Sequence, residues 1–367
     1  MHGRDIARQR LNNLGLSGAS FAAPDAAVRW LGAVQSQDYG PAKWSIGERT
    51  SGVGDAAIDE VFAAGTILRT HVLRPTWHFV TPADIRWLLE LTGPRVHTQN
   101  AYQYRQLGLD GGVRDTYSRL LVDALQGGNH LTRGELGAMF RTAGIATEGF
   151  RLAYILMSAE LDAVICSGPP RGRQHTYALL DERVPETSGP RKDDALEALV
   201  LRYFTSHGPA TVKDLRWWSS VTISDLNRGL EMAASRLERT DVDGTTYWSA
   251  PQASPPDVAS PTVHLLQGYD EYLVGYSESK FVCDLAGVRL SLPPDTSVPN
   301  GVAFLDTQLA GHWKRTLRRR SVTFEVALYE AFDKAQMDAL RAAADAQAIF
   351  LGLTAAVETT TLPRRAD

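Results

Sequence analysis

Along the first eighty residues the apolar positions change their spacing. Residues 26–34 set Ala27, Trp30, Leu31 and Val34 on one helical face, and residues 55–64 do the same with Ile58, Val61 and Phe62. A shorter helical stretch within 6–20 precedes them and runs out at Gly15 and Gly18, and Asp25 is placed to cap the second helix. From Ile67 to Val80 the apolar residues alternate instead and become β-branched or aromatic, which predicts one or two strands interrupted at Pro75. Helices followed by a strand pair are the pattern of a winged helix-turn-helix. In this reading Gln35 and Gln37 lie where the helix 26–34 runs out toward a turn at Gly40-Pro41.

The same order recurs twice. In the second copy a helix at 116–125 precedes Thr132-Arg133-Gly134-Glu135, a capping-box start, and a third helix at 152–157. Hairpin arms at 164–166 and 176–179 flank the loop 168–175. The third copy has helices at 195–205, 211–215 and from 222, then a hairpin at 237–248 turning at Asp243-Gly244. A Pro/Ser linker at 251–260 leads to strands at 263–266, 301–306 and 321–328, an amphipathic helix at 334–350 and a frayed tail from 359. The expected class is α+β: three tandem winged helix-turn-helix motifs (1–84, 113–185 and 191–250), a helical connector at 85–112, the linker, and a small C-terminal β-rich module at 261–367.

Composition narrows the functional classes. With 44% apolar and 22% charged residues the chain reads as a folded soluble protein. No apolar run approaches the roughly 20 residues that cross a bilayer, and the start lacks the apolar core of a signal peptide, so a cytoplasmic protein without a membrane partner is expected. Cys166 and Cys283 stand far apart with no neighbouring ligand types, so neither a metal site nor a disulfide is indicated, and no cofactor motif is present. A net charge of -4 argues against indiscriminate coating of DNA and leaves room for a locally basic groove.

Gln35-Ser36-Gln37, then Leu68-Arg69-Thr70-His71-Val72-Leu73-Arg74-Pro75-Thr76-Trp77-His78-Phe79, then 264–276 and Gly311-His312-Trp313, follow one another in order along the chain. This set resembles the winged-helix DNA glycosylases typified by AlkZ, which remove alkylated purines and carry Gln-aliphatic-Gln, or Gln-aliphatic-Asp in a sister branch. The chain departs from that signature at Ser36. The resemblance implies a monofunctional DNA glycosylase that hydrolyses the N-glycosidic bond of cationic N7- or N3-alkylated purines in double-stranded DNA. It extends to unhooking of interstrand crosslinks or resistance to a DNA-alkylating natural product, with Gln35 and Gln37 catalytic and no cofactor.

The chemistry fits two amides. An ordinary nucleotide needs an acid for its departing base and a carboxylate for the oxocarbenium-like sugar. An alkylated purine is already cationic, so a glutamine oxygen that orients water and an NH2 that holds a sugar or phosphate oxygen suffice. Asp38 is a competing candidate, although its place beside Gly40 also suits a turn. The Asp270-Glu271 pair reads as structural. Arg69, His71, Arg74, Arg171, Arg173, Lys280, Lys314 and Arg318 are the expected DNA contacts, Arg171 and Arg173 from a wing tip and the last two from the basic run 314–320. No aromatic pair stands near Gln35 in sequence, so a shallow cleft without full base extrusion is expected. Three unlike modules favour a monomer clamped around one lesion. The alternative is a non-catalytic regulator or damage sensor built from the same modules.

Overall fold

The computed structural model describes residues 2–17, 21–109, 112–184, 189–251, 259–287 and 301–362. Most of the linker (252–258) and the last residues of the tail (363–367) lie outside them. The chain forms a mixed α+β fold in which one order of elements repeats. In the first unit Pro24–Leu31, the strand Val34–Gln35, the helices Tyr39–Gly47 and Asp55–Ala64, and the strands Leu68–His71 and Trp77–Val80 follow one another. The first strand pairs with the third and the third with the second, all antiparallel. The second unit has the same order from Val113–Leu125 through Leu131–Thr132, Arg133–Thr142 and Arg151–Leu161 to the hairpin Ile165–Arg171 with Gln174–Leu179, and the same strand order. In the third unit, Lys192–Ser206, Val212–Ser219 and Ile223–Ala233 precede the hairpin Glu238–Val242 with Thr245–Ser249, and the bridge Ala210 to Trp248 stands where the first strand would be.

Local chemistry accounts for many boundaries. Thr132 and Glu135, and likewise Thr211 and Asp214, close reciprocal capping boxes. Asp243 (φ 49°) and Gly244 (φ 77°) both take the left-handed conformation that a two-residue hairpin turn demands. Leu73 (φ 64°) breaks the strand alternation between Arg69 and Arg74. A 25-residue helix, Pro82–Gln106, spans the boundary between the first and second units.

Four expectations are corrected. The helix that begins at Pro24 stops at Leu31, where Gly32 (φ 81°) ends it, so Gln35 lies on a short strand and not at a helix end. Gly40 and Pro41 do not make a turn; they lie in the first turn of Tyr39–Gly47, where a missing N–H is harmless. Ala23, not Asp25, holds the N-cap position of Pro24–Leu31. The tail is not frayed at 359, because Thr354–Thr361 adds a parallel edge strand beside Ser321–Leu328. That strand completes a five-stranded sheet, with Lys334–Phe350 packed on it through Leu340, Ala344 and Ala348.

The modules are welded by buried polar contacts. Arg49 donates twice to Asp270, at 2.8 Å each, with both side chains fully buried. Arg10 reaches Pro209 O and Ser279 across the third unit and the C-terminal module. Trp44 Nε1 donates to Leu265 O at 2.9 Å and its ring packs against Phe350. Among the described residues no helix is long and apolar enough to cross a membrane.

Candidate active site

Gln35 and Gln37 leave the first strand on one face, and Ser36 leaves on the other. The middle position is fully buried (0% exposed) and its hydroxyl has no hydrogen-bond partner. An interior site that satisfies no hydroxyl is a site for an aliphatic side chain, which gives the signature's middle residue a packing reason and makes Ser36 a polar misfit there.

Two hydrogen bonds fix Gln35. Its backbone N–H donates to Glu271 Oε1 at 3.0 Å, and its side-chain oxygen accepts from Arg74 Nη2 at 2.8 Å. Because the oxygen must face the guanidinium, the amide orientation is determined and the NH2 end points away from Arg74. Gln37 is exposed; its Oε1 accepts from the Trp77 backbone N–H at 3.3 Å, across from the Ser36 N–H donating to Trp77 O at 2.7 Å. Arg69, stacked over Trp77 at 4.4 Å, donates to Ser36 O at 2.9 Å and Gln37 O at 3.3 Å. The two motif carbonyls are therefore held from below by one cation.

Glu271 lies beneath Gln35. It is fully buried, and its Oε2 accepts from Trp218 Nε1 at 2.9 Å and faces His207 Nε2 at 3.2 Å, while Ser206 Oγ lies 2.8 Å from His207 Nδ1. Burial alone would raise the carboxyl, but the His207 hydrogen bond, the Arg74 charge and the Gln35 N–H outweigh it and hold it at about 2. A permanent negative charge thus sits directly under the first glutamine, supplied by one carboxylate that joins the first unit, the third unit and the C-terminal module.

A cleft of about 620 Å³ opens beside this arrangement, lined by Gln35, Arg74 and Thr76, by Arg95 and Gln99, by Lys213, Arg216 and Trp217, and by Tyr269, Val274 and Glu278. Its cations come from the first unit (Arg74), the helix Pro82–Gln106 (Arg95) and the third unit (Lys213 and Arg216). A larger cavity, about 940 Å³, lies away from both glutamines between the N-terminal helix and the C-terminal module.

The expected site residues separate into groups. Gln35 and Arg74 meet at the cleft wall, while Arg69 holds the Ser36 and Gln37 carbonyls, and neither Gln37 nor Arg69 is among the residues that line the cleft. His71 does not join them as a phosphate contact: it is buried against Trp77 and paired with Glu160. Arg171 sits on the second hairpin but is engaged by Glu135 and His130 O, leaving exposed Arg173 at the tip. Lys280 is exposed just beyond the cleft-lining Glu278. Lys314 pairs with Glu325 at 2.9 Å, and Arg318 is exposed at the turn of the basic hairpin, whose Arg315 lies within electrostatic reach of Asp38 and Asp55. Asp38 occupies the N-cap position of Tyr39–Gly47 and makes no side-chain cap bond. Sequence reading missed Arg95, Arg216 and Trp217 in the cleft, and it gave Glu271 no place in the site. It also found no aromatic pair near Gln35, whereas Trp217 and Tyr269 share its cleft.

His78 pairs in register with both Gln35 and Thr70. It is fully buried, its Nδ1 donates to Thr76 O at 2.9 Å, its Nε2 has no partner, and burial together with the Arg74 charge lowers it to about 3. A histidine neutral in the native state but free to protonate once unfolded removes stability as pH falls below its ordinary value of 6.5. His207 is shifted the same way. Urea midpoints are expected to fall between pH 7.5 and 5, and His78→Phe to flatten that slope by up to about 1.4 kcal/mol per pH unit; an unchanged slope would contradict a neutral His78.

Known proteins resemble the chain in sequence and in fold. An interstrand DNA cross-link repair glycosylase of Streptomyces sahachiroi is 23% identical over 267 residues, 69% of this chain and 71% of that one. The solved structure of the Streptomyces sahachiroi DNA glycosylase AlkZ superposes with a TM-score of 0.81 at 20% identity, covering 99% of this chain and 100% of the other, so the two share a fold. The model of the family described as DNA glycosylase AlkZ-like matches residues 28–350, and the chain belongs to the AlkZ-like DNA glycosylase family.

Proposed function

We propose that this DNA glycosylase hydrolyses the N-glycosidic bond of cationic N7- or N3-alkylated purines in double-stranded DNA, acting as a monomer without a lyase step. The observation that carries the reading is the Gln35 amide, pinned by Arg74 and backed by buried Glu271, at the wall of a cation-lined cleft. The only acid lining that cleft among the described residues is Glu278, which is paired with Lys213. Such a site has no evident proton donor of carboxylic type. It suits a leaving group that already carries its positive charge.

Each side chain then has a role. The Gln35 NH2 holds a sugar or phosphate oxygen, and the second lone pair of the Gln37 carbonyl orients the attacking water. Glu271 and the two amide oxygens place negative potential where the sugar becomes cationic. Arg95, Lys213, Arg216 and Arg74 hold the phosphates on either side. Since the Streptomyces relative is named a cross-link repair glycosylase, and a cleft of about 620 Å³ exceeds what one purine fills, crosslink unhooking belongs to the same proposal.

The three repeated units (1–84, 113–185 and 191–250), joined by 85–112 and followed by 251–260 and 261–367, are read as tandem winged helices that serve as a scaffold. Their third helices do not suit groove reading. Asp55–Ala64 presents Asp55, Asp59 and Glu60; Arg151–Leu161 is buried along its length from Ile155; and Arg228 on Ile223–Ala233 is paired with Asp193 and Asp225. An acidic or buried recognition helix repels or misses DNA, which favours catalysis over a regulator. Free N7-methylguanine is expected from an N7-methylguanine duplex under enzyme excess, measured by chromatography of the released base; none released would leave the non-catalytic reading.

A further inference from the structure

Trp217 and Trp218 are neighbours with opposite fates. Trp218 is fully buried and donates to Glu271, whereas Trp217 is 51% exposed at the cleft. Both are displayed by Val212–Ser219, whose start is locked by the Thr211 and Asp214 capping box. The Trp217 indole is oriented by its own Nε1–H, which donates to Val274 O at 3.1 Å. Arg74 Cζ stands 5.7 Å from the ring centroid, near the limit of about 6 Å for a cation–π contact, so the ring is loosely covered. Since Arg74 also holds Gln35, the cleft wall runs from the Gln35 amide through one guanidinium to the indole. The Trp217 ring thus stands one guanidinium away from the Gln35 amide, on the same cleft wall.

We infer that Trp217 is the stacking platform for the alkylated base and the residue that selects its positive charge; this rests on the glycosylase reading above. Any base can stack on an indole, because every base has a π-face. A base carrying a full positive charge over its flat ring gains more, because the indole face is the most electron-rich of the side chains. As the glycosidic bond breaks, the electron pair passes to the base, which becomes neutral, and the sugar takes the charge. The contact therefore helps the ground state more than the transition state, so Trp217 governs recognition and not the bond-breaking step.

The test measures affinity for two duplexes of the same shape and different charge. One carries N7-methyl-2′-deoxy-2′-fluoroguanosine, which is cationic and resists cleavage; the other carries 7-methyl-7-deaza-2′-deoxy-2′-fluoroguanosine, which is neutral. Wild type is expected to prefer the cationic duplex by about 2- to 30-fold. The preference should weaken in Trp217→Phe and vanish in Trp217→Leu, while the single-turnover excision rate of saturated Trp217→Leu does not fall and rises by no more than the lost preference, as removal of a ground-state contact requires. If Trp217→Leu fails to fold, Trp217→Phe carries the test through its weakened preference and undiminished rate. Equal affinity of wild type for both duplexes, or a preference that survives in Trp217→Phe and Trp217→Leu alike, would overturn the proposal. Wild-type release of N7-methylguanine, run in parallel, reports on the glycosylase reading separately.

Discussion

Gln37→Ala is expected to lower the single-turnover excision rate of an N7-alkylated purine about 10- to 1000-fold, the range for losing one positioned group, while DNA affinity stays nearly unchanged. The side chain is exposed, so its removal leaves no cavity, and among the described residues it is anchored by the Trp77 backbone N–H at 3.3 Å. Gln35→Ala should lower the rate to a similar degree by two routes, because it also releases Arg74 from the position that the 2.8 Å bond fixes. The double variant should fall short of the product of the two, since both amides serve one reacting centre. Gln37→Glu asks whether the site wants a charge or only an acceptor: a faster variant would mean that Glu271 is too distant to supply the full potential. A wild-type rate in Gln37→Ala under enzyme excess would move the assignment to Asp38.

The second large effect is expected at Glu271. Glu271→Ala leaves the Trp218 indole, His207 and the Gln35 N–H without their acceptor, and buried pairs broken from one side lose about 3–5 kcal/mol. The same contacts hold the carboxyl at about 2 instead of 4.5, which stabilises the folded state in the same direction. That contribution is full above pH 4.5 and is lost as pH falls toward 2, on the acid side of the histidine effect. Urea unfolding at pH 7 measures it, and Glu271→Gln, which keeps the shape but turns an NH2 toward other donors, should lie between wild type and Glu271→Ala. An unfolding midpoint unchanged in Glu271→Ala would show that the carboxylate does not join the modules.

What the sequence disclosed follows from the range of the forces involved. The Thr132 and Thr211 caps, the Asp243-Gly244 turn and the helix 334–350 are decided by residues a few positions apart, and they are legible. Val34–Gln35 is not, because its only reason to be a strand is pairing with Phe79 and His78, more than forty residues away. Thr354–Thr361 looked like a tail for the same reason: nothing within it says that Ser321–Leu328 will accept it in parallel. The glutamines and Arg74 stood out only as parts of an ordered motif. Glu271 was visible and misread, since an acid next to Leu273 and Val274 carries no sign that its partner is a backbone N–H on residue 35. Trp217 and Arg216 entered the site through the packing of the third unit, which no local pattern encodes.

Two amides with no acid beside them can release only a leaving group that needs no proton. The most direct measurement compares single-turnover base release, with enzyme in excess, from duplexes containing N7-methylguanine and the neutral lesion 1,N6-ethenoadenine, each at pH 6 and pH 8. The expected result is release of N7-methylguanine at a rate that changes little with pH, and no release of ethenoadenine. Release of both bases at comparable rates, rising toward pH 6, would mean that an acid operates in the cleft and that the amide mechanism is wrong.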